Sequence, residues 1–170
     1  MMGAISSRFA VATHILSYLA WRGEKVTPSA EIARSVNTNP VVVRRIISAL
    51  RESGLVEVQQ GVDGGARLAR APSETTLLAV YRAVEHAPLF SHHPQPPNAG
   101  CQVGSKIERA LADVFVSAEE AMLSVLATVT IADVFKRLRE SCSSLEKCGV
   151  SSTLDVAPPH ATCEQAPLPE

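Results

Sequence analysis

Residues 29–70 decide the fold, and they read SAEIARSVNTNPVVVRRIISALRESGLVEVQQGVDGGARLAR. Near the start of this stretch, two short segments carry apolar residues at helical spacing on either side of a polar turn at residues 37–39. At both helix starts an N-cap residue precedes a proline that suits the first helical position, in Thr27-Pro28 and again in Asn39-Pro40. Two short helices joined by a tight turn predict a helix-turn-helix.

The second helix of this motif has one apolar and one basic face. Its predicted buried side consists of Val43, Ile46, Ile47 and Leu50, and its outward side of Val41, Val42, Arg44, Arg45, Ser48 and Arg51. A solvated surface is the ordinary explanation for arginines such as Arg44 and Arg45, but on this helix contact with DNA phosphates and bases explains them better. Because helix N-termini and short polar side chains bind phosphates, the candidate DNA contacts also include Thr38, Asn39, Pro40, Val41 and Ser48.

A β-hairpin is predicted directly after the helix that Gly54 ends. Residues 55–59 alternate and are rich in β-branched side chains, residues 66–69 return, and the turn between them contains Gly61, Gly64 and Gly65. A glycine-rich phosphate loop would have to open a helix, so this segment is interpreted as a wing. Arg67 stands beside the wing, and arginine favours narrow minor grooves.

Helices are predicted on both sides of this motif. Apolar spacing indicates one over residues 8–22, ended by Gly23, and Thr76 caps another. Four prolines indicate an irregular loop over residues 87–104.

The C-terminal part contains a long helix over residues 106–128 and a last helix opened by a capping box of Thr130 and Asp133. The apolar stripe of the long helix, which predicts pairing with another helix, is formed by Ile107, Leu111, Val114, Ala118, Ala121, Met122 and Val125. The last helix is expected to turn Val134, Phe135 and Leu138 inward. Residues 141–170 are expected to form a mostly disordered tail.

Composition narrows the class of protein. Hydrophobic residues make up 46% of the 170 residues, which suffices for a packed core, and no apolar run approaches the roughly 20 residues of a membrane span. Residues 1–70 carry nine Lys/Arg against five Asp/Glu, whereas residues 71–170 carry seven against twelve, which indicates a basic module joined to an acidic remainder. No secretory signal and no catalytic constellation is recognisable, so we expect a cytoplasmic protein without enzymatic activity, metal or cofactor.

The quoted stretch, followed by LLAVYRAVE at residues 77–85, resembles the Rrf2 family of bacterial winged-helix transcription regulators. The EIA, GLV, GxxGG and AVE steps lie in the family's order, and Arg8-Phe9-Ala10 resembles the family's Arg-Tyr-Ala. TNPVVVRR and the CxVG step at residues 101–104 look most like the YwnA-like subgroup. The resemblance implies a homodimer that binds double-stranded DNA, with the second helix of the motif in the major groove, the wing along the minor groove and Arg8 among the contacts.

Two departures from the family pattern concern its signal and its wing. Several members hold an iron–sulfur cluster through three cysteines in the loop after AVE, but this loop contains only Cys101, and one thiolate cannot hold a cluster that needs four ligands. Ala66 stands where the family has an aromatic residue, so we expect a less tightly packed wing root. Cys142, Cys148 and Cys163 lie in the expected tail, where Cys142 and Cys148 are on the wrong side of the long helix for the cluster role.

The sequence therefore predicts a mainly α protein with a small β-hairpin wing. We expect a winged helix-turn-helix over residues 1–86, a loop over 87–104, dimerisation helices over 105–140 and the tail. Family habit favours a repressor. Cys101 is a candidate redox sensor, with a Cys/His metal site involving His86, His92 and His93 as the weaker reading. Two alternatives stay open: a thiol- or metal-responsive sensor regulator, and a winged helix that binds another protein instead of DNA.

Overall fold

A computed structural model describes residues 7–61, 64–90 and 95–143, with the backbone alone for residues 141–143. Its elements are α1 (Arg8–Arg22), α2 (Ser29–Val36), α3 (Pro40–Glu52), β1 (Val56–Gln59), β2 (Gly65–Leu68), a 3₁₀ turn (Pro72–Glu74), α4 (Leu77–Val84), α5 (Ile107–Thr128) and α6 (Ile131–Ser143). The predicted fold class, mainly helical with one antiparallel hairpin, is confirmed. The predicted tail overlaps α6 as far as Ser143, and its remainder lies outside the described residues.

The turn between α2 and α3 follows from two asparagines. Asn37 adopts the left-handed conformation, with φ of 54°, and the amide of Thr38 donates to the carbonyl of Ala33 at 3.1 Å. Asparagine tolerates this conformation better than most residues, so it ends a helix much as glycine does. Asn39 then caps α3, because its Oδ1 accepts from the amide of Val41 at 2.8 Å. The predicted cap and the proline at the start of α3 are confirmed.

The wing contains one more stretch of paired backbone than the sequence predicts. β1 and β2 pair antiparallel, with Val58 opposite Ala66. Thr27 also pairs with Ala66, through two backbone hydrogen bonds of 2.9 Å. Thr27 is therefore not the N-cap of α2, a position that Pro28 occupies, and its side chain is buried. Ala66 is buried as well, so the two hydrogen bonds to Thr27 hold the wing root, contrary to the looser packing expected there.

One hydrophobic core joins α1 to the helix-turn-helix, the wing, α4 and the start of α6. Its fully buried members are Ala12, Ile15, Leu16, Leu19, Ile32, Val43, Leu50, Val80 and Ile131. Because Ile131 belongs to α6, the last helix takes part in the same core as α1.

The start of α4 is tied to the link between α5 and α6. The amide of Leu77 donates to the carbonyl of Val129 at 2.8 Å, and the amide of Ile131 donates to the carbonyl of Thr75 at 2.9 Å. α6 packs on α1, and its predicted capping box is confirmed by reciprocal hydrogen bonds between Thr130 and Asp133. Leu138 is exposed, so its predicted inward orientation is wrong, whereas Val134 and Phe135 are half-buried.

Candidate nucleic-acid interface

The outward face of α3 is the most basic exposed helix face of the helix-turn-helix. This face begins at Val41. Arg44, Arg45 and Ser48 follow it by three, four and seven positions, a spacing that places all four on one side of a helix. The opposite side is the buried one that the sequence predicts. Val41 is 63% exposed and both arginines are exposed, so this face is open to a ligand in the described structure.

The arginines of this face differ in what holds them. The Nε of Arg44 donates to the carbonyl of Pro40 at 3.3 Å, which directs the guanidinium along the first turn of α3. Arg45 and Arg51 form no ion pair with a described residue. Their charges are therefore available to an anion that approaches α3.

Two of the predicted polar contacts, Asn39 and Ser48, are engaged within the chain. The Oδ1 of Asn39 is used by the cap, so its Nδ2 remains as a donor. The Oγ of Ser48, which is half-buried, donates to Glu52 at 3.3 Å. Thr38 is half-buried in the turn. A phosphate at the start of α3 would consequently meet Thr38 and Asn39 before Ser48.

The glycines of the wing are required by close backbone approach. A Cβ on Gly64 would lie 2.7 Å from the carbonyl oxygens of Gln59 and Gly61, and a Cβ on Gly65 would lie 2.4 Å from the carbonyl oxygen of Thr27. Gly61 has φ of +116°, which L residues rarely adopt. Only glycine at these positions lets the wing fold this tightly.

Arg67 lies on β2 directly opposite Glu57 of β1. Its Nη2 and Nε donate to Oε2 of Glu57 at 2.7 and 3.0 Å, and both side chains are about half exposed. The charge of Arg67 is therefore partly balanced within the wing, and the N–H groups of its Nη1 remain as donors for a phosphate.

Arg8 begins α1, and its neighbour Phe9 is held at the end of α4. The amide of Phe9 donates to Glu85 at 3.3 Å, and its ring packs edge-on against Tyr81 at 5.7 Å. Arg8 is exposed at this start of α1.

Sequence reasoning missed two exposed arginines, one on α2 and one just after the wing. Arg34 lies in the last turn of α2. Arg70 follows β2, and its Nη2 lies 3.4 Å from the position of a Cβ on Gly54, at the end of α3. The helical pattern of α2 could have indicated that Arg34 is exposed, because the buried residues of this helix are Ile32 and Ala33. The position of Arg70 depends on the path of the hairpin, and no local sequence pattern indicates it.

A polar network orients α2 on α1. Oε1 of Glu31 accepts from the hydroxyl of Tyr18 at 2.8 Å and lies 3.2 Å from the guanidinium of Arg22. The Arg22 side chain is only 8% exposed, and its Nε has no partner among the described residues. Burial, followed by the hydrogen bond to Glu31, raises the pKa of Tyr18. The network fixes the helix that supports α3.

Cys101 is exposed in a series of turns that leads into α5. The carbonyl of Asn98 accepts from the amide of Cys101 at 3.0 Å, and a Cβ on Gly104 would collide with that same carbonyl. The backbone N–H groups of Gly104 and Val103 lower the pKa of the Cys101 thiol. Two local backbone amides therefore account for the direction of this pKa shift.

No metal centre is formed by the residues that the structure describes. Among them, no three His, Cys, Asp or Glu side chains come together at a distance that suits one ion. His92, His93, Cys148 and Cys163 lie outside the described residues, and Cys142 is described only by its backbone.

The arrangement of α2, α3 and the hairpin, all packed on α1, defines a winged helix-turn-helix protein. The model of the Rrf2 family, described as an iron-dependent transcriptional regulator, matches residues 5–137. The chain therefore belongs to the Rrf2 family of transcriptional regulators, as its sequence motifs predict. The described residues do not supply the donor set that an iron centre requires.

Relatives and solved structures agree with this assignment. YwnA of Bacillus subtilis, which bears the name of an HTH-type transcriptional regulator, is 46% identical over 135 residues, covering 79% of this chain and 98% of YwnA. A crystal structure described as that of a DNA-binding protein is 42% identical, with a TM-score of 0.59, and covers 75% of this chain and 98% of its own. CymR, the global cysteine regulator of B. subtilis, shares the fold at 23% identity and a TM-score of 0.61, covering 80% of this chain and 98% of CymR.

None of the described helices combines the length with the apolar character that crossing a membrane requires.

Proposed function

We propose that this regulator is a cytoplasmic, dimeric repressor that binds double-stranded DNA sequence-specifically and has no enzymatic turnover. The observation that carries the proposal is the outward face of α3, where Arg44 and Arg45 are exposed and Arg45 has no ion-pair partner among the described residues. A helix-turn-helix places the N-terminal part of its second helix against base edges in the major groove. The wing and Arg67 then follow the minor groove.

Phosphate contacts position such a protein, and base contacts give it specificity. Arg8, Arg34 and Arg70, all exposed, are further candidate phosphate contacts. The positive end of α3, together with Thr38 and Asn39, would bind a phosphate where the helix starts.

The proposal is tested by a salt titration of DNA binding. Each phosphate neutralised contributes about 0.9 to the slope of log K against log salt concentration, so replacing Arg44 and Arg45 by Ala should lower the slope by up to about 1.8 and weaken binding. Arg109→Ala, an exposed arginine on α5, is the matched control and should leave the slope unchanged. Equal slopes for all three proteins would refute the assignment of α3, and salt-independent binding would favour a protein-interaction winged helix.

Dimerisation is supported by the apolar side of α5 that its own chain leaves uncovered. Val114, Ala118, Ala121 and Val125 recur at spacings of three and four residues, and all four are exposed. A continuous exposed stripe of this kind marks an interaction surface. In a two-fold dimer, the same surface of both subunits forms the interface, so α5 of one copy can cover the stripe of α5 in the other. A second copy of this chain is therefore the proposed partner of the stripe.

A matched pair of valines tests the dimer. Val114 is 59% exposed on the stripe, and Val116 is 56% exposed on another side of α5. Val114→Asp should convert the dimer to a monomer in sedimentation velocity at micromolar concentration, whereas Val116→Asp should remain dimeric. A monomeric wild type, or equal behaviour of the two variants, would contradict this interface.

Repression and its signal are tested on the same protein. Transcription in vitro from a promoter that contains the bound site should fall as the protein is added, and a rise would instead indicate an activator. The exposed Cys101, whose thiolate is favoured by two backbone amides, is the proposed point at which an oxidant acts. Oxidant should weaken DNA binding by the wild type but not by Cys101→Ser.

A further inference from the structure

Val41 is a conspicuous residue on the proposed DNA-binding face. Its side chain is 63% exposed, although four other apolar residues already form the complete buried side of α3. Single exposed apolar residues are common on protein surfaces, so exposure alone indicates nothing. The position of Val41 is informative, because this residue lies in the first turn of α3 and points between the directions of Arg44 and Arg45.

The valine is held rigidly in this position. Its amide donates to Oδ1 of Asn39 at 2.8 Å, which fixes the backbone at the start of the helix. A β-branched side chain in a helix has essentially one rotamer, so the two methyl groups of Val41 have a fixed direction. Val42, also exposed, extends the apolar surface at the edge of the same face.

In the major groove, the thymine C5-methyl group is the apolar feature that a side chain can recognise. The N-terminal residues of a recognition helix are those that reach base edges. We propose that Val41, assisted by Val42, reads thymine methyl groups, so that each half-site contains a thymine opposite the first turn of α3. This inference rests on the proposed DNA-binding function and specifies the chemistry of the bound sequence.

The charges around the valine favour DNA over an apolar protein partner. Arg44 and Arg45 flank it, and Arg34 lies on the preceding helix. A partner protein with an apolar knob would have to bring compensating acidic groups to each arginine, whereas DNA supplies phosphates on both sides of the groove together with the methyl group.

The experiment replaces thymine by uracil, which removes the methyl group and leaves the base pairing intact. A bound duplex is first selected from random sequence with the wild-type protein, and thymines are then replaced one position at a time in both half-sites. Burial of one methyl group corresponds to about a fourfold change in affinity, so one or two positions should lose about fourfold per half-site.

Val41→Ser should bind the thymine and uracil duplexes equally well, because it lacks the methyl groups that make the contact. Val103→Ser is the control: this valine is 69% exposed in the loop before α5, and its variant should keep the full discrimination. Thermal unfolding should be similar for both variants, since neither position is buried.

The outcomes separate the inference from the function on which it rests. If salt-dependent, sequence-specific binding is present but no thymine position is sensitive, or Val41→Ser discriminates as the wild type does, the methyl contact is refuted and the proposed function stands. If no duplex is selected at all, both are refuted.

Discussion

The sharpest structural prediction concerns Gly65, where the wing passes closest to the strand-like residue Thr27. A Cβ at this position would lie 2.4 Å from the carbonyl oxygen of Thr27 and 2.5 Å from its carbonyl carbon. Both atoms belong to the backbone, so no side-chain rotation relieves the collision. Gly65 does not have a positive φ, so the effect of Gly65→Ala is steric and does not come from its own conformation.

Relief of this collision requires Thr27 to move away from the wing. The two hydrogen bonds of 2.9 Å between Thr27 and Ala66 would then be lost. At about 0.5–1.5 kcal/mol net for each bond, Gly65→Ala should lower the free energy of unfolding by about 1–3 kcal/mol. Thr27 and Ala66 are both buried in the wild type, so their exposure in the variant would lower the free energy of unfolding further.

Urea unfolding measures this loss, and hydrogen exchange of the Thr27 and Ala66 amides shows its location. Gly61→Ala is the control within the wing, because a Cβ there has nothing within 4 Å although its φ of +116° is unfavourable. The control should be destabilised by backbone strain while both amides keep their protection. Unchanged stability of Gly65→Ala together with a protected Thr27 amide would refute the pairing of Thr27 with the wing.

Three further predictions test other contacts. Glu31→Ala should lower the free energy of unfolding by about 3 kcal/mol, because it leaves the buried Arg22 charge unpaired, and Glu24→Ala, an exposed residue, should not. The Thr130 hydrogen bonds lower the pKa of Asp133, so its capping contribution should be present above about pH 4 and vanish as the pH falls through the lowered folded-state pKa; a stability difference from Asp133→Ala that persists in acid would contradict this. When the rate of alkylation by iodoacetamide is measured against pH, the Cys101 thiol should show a midpoint at lower pH than an ordinary cysteine. A midpoint at the ordinary pH would show that the two backbone amides do not favour the thiolate.

Local chemistry accounts for what the sequence predicted well. The cap of Asn39, the cap of Thr76 and the capping box of Thr130 and Asp133 each depend on residues within one helical turn, so they can be recognised without the fold. The same holds for the glycine at the end of α3, which has φ of +68°. Family motifs then supplied the joint arrangement.

Contacts between distant segments account for what it missed. Thr27 has neither the alternation nor the length of a strand, and it pairs with Ala66 only because α1 and α2 bring it to the wing. The ion pair of Glu57 with Arg67 could have been predicted from the sequence, since the register of the hairpin places the two residues opposite each other. Leu138 fits an inward helical stripe, but the end of α6 extends beyond the core that would cover it.

The long helix α5 shows why an apolar pattern predicts burial without identifying the partner. Leu111 and Met122, members of the predicted stripe, are half-buried within the chain, as is Phe115, whose ring stacks on Phe90 at 4.7 Å. Val114 and Val125, members of the same stripe, are exposed. The helix thus packs one apolar side against α4 and the preceding loop of its own chain, and it exposes a second apolar side to solvent. The sequence pattern shows both sides as a single stripe. Separating them requires the structure, and it is the exposed half that makes the matched pair of Val114 and Val116 a decisive test of the dimer.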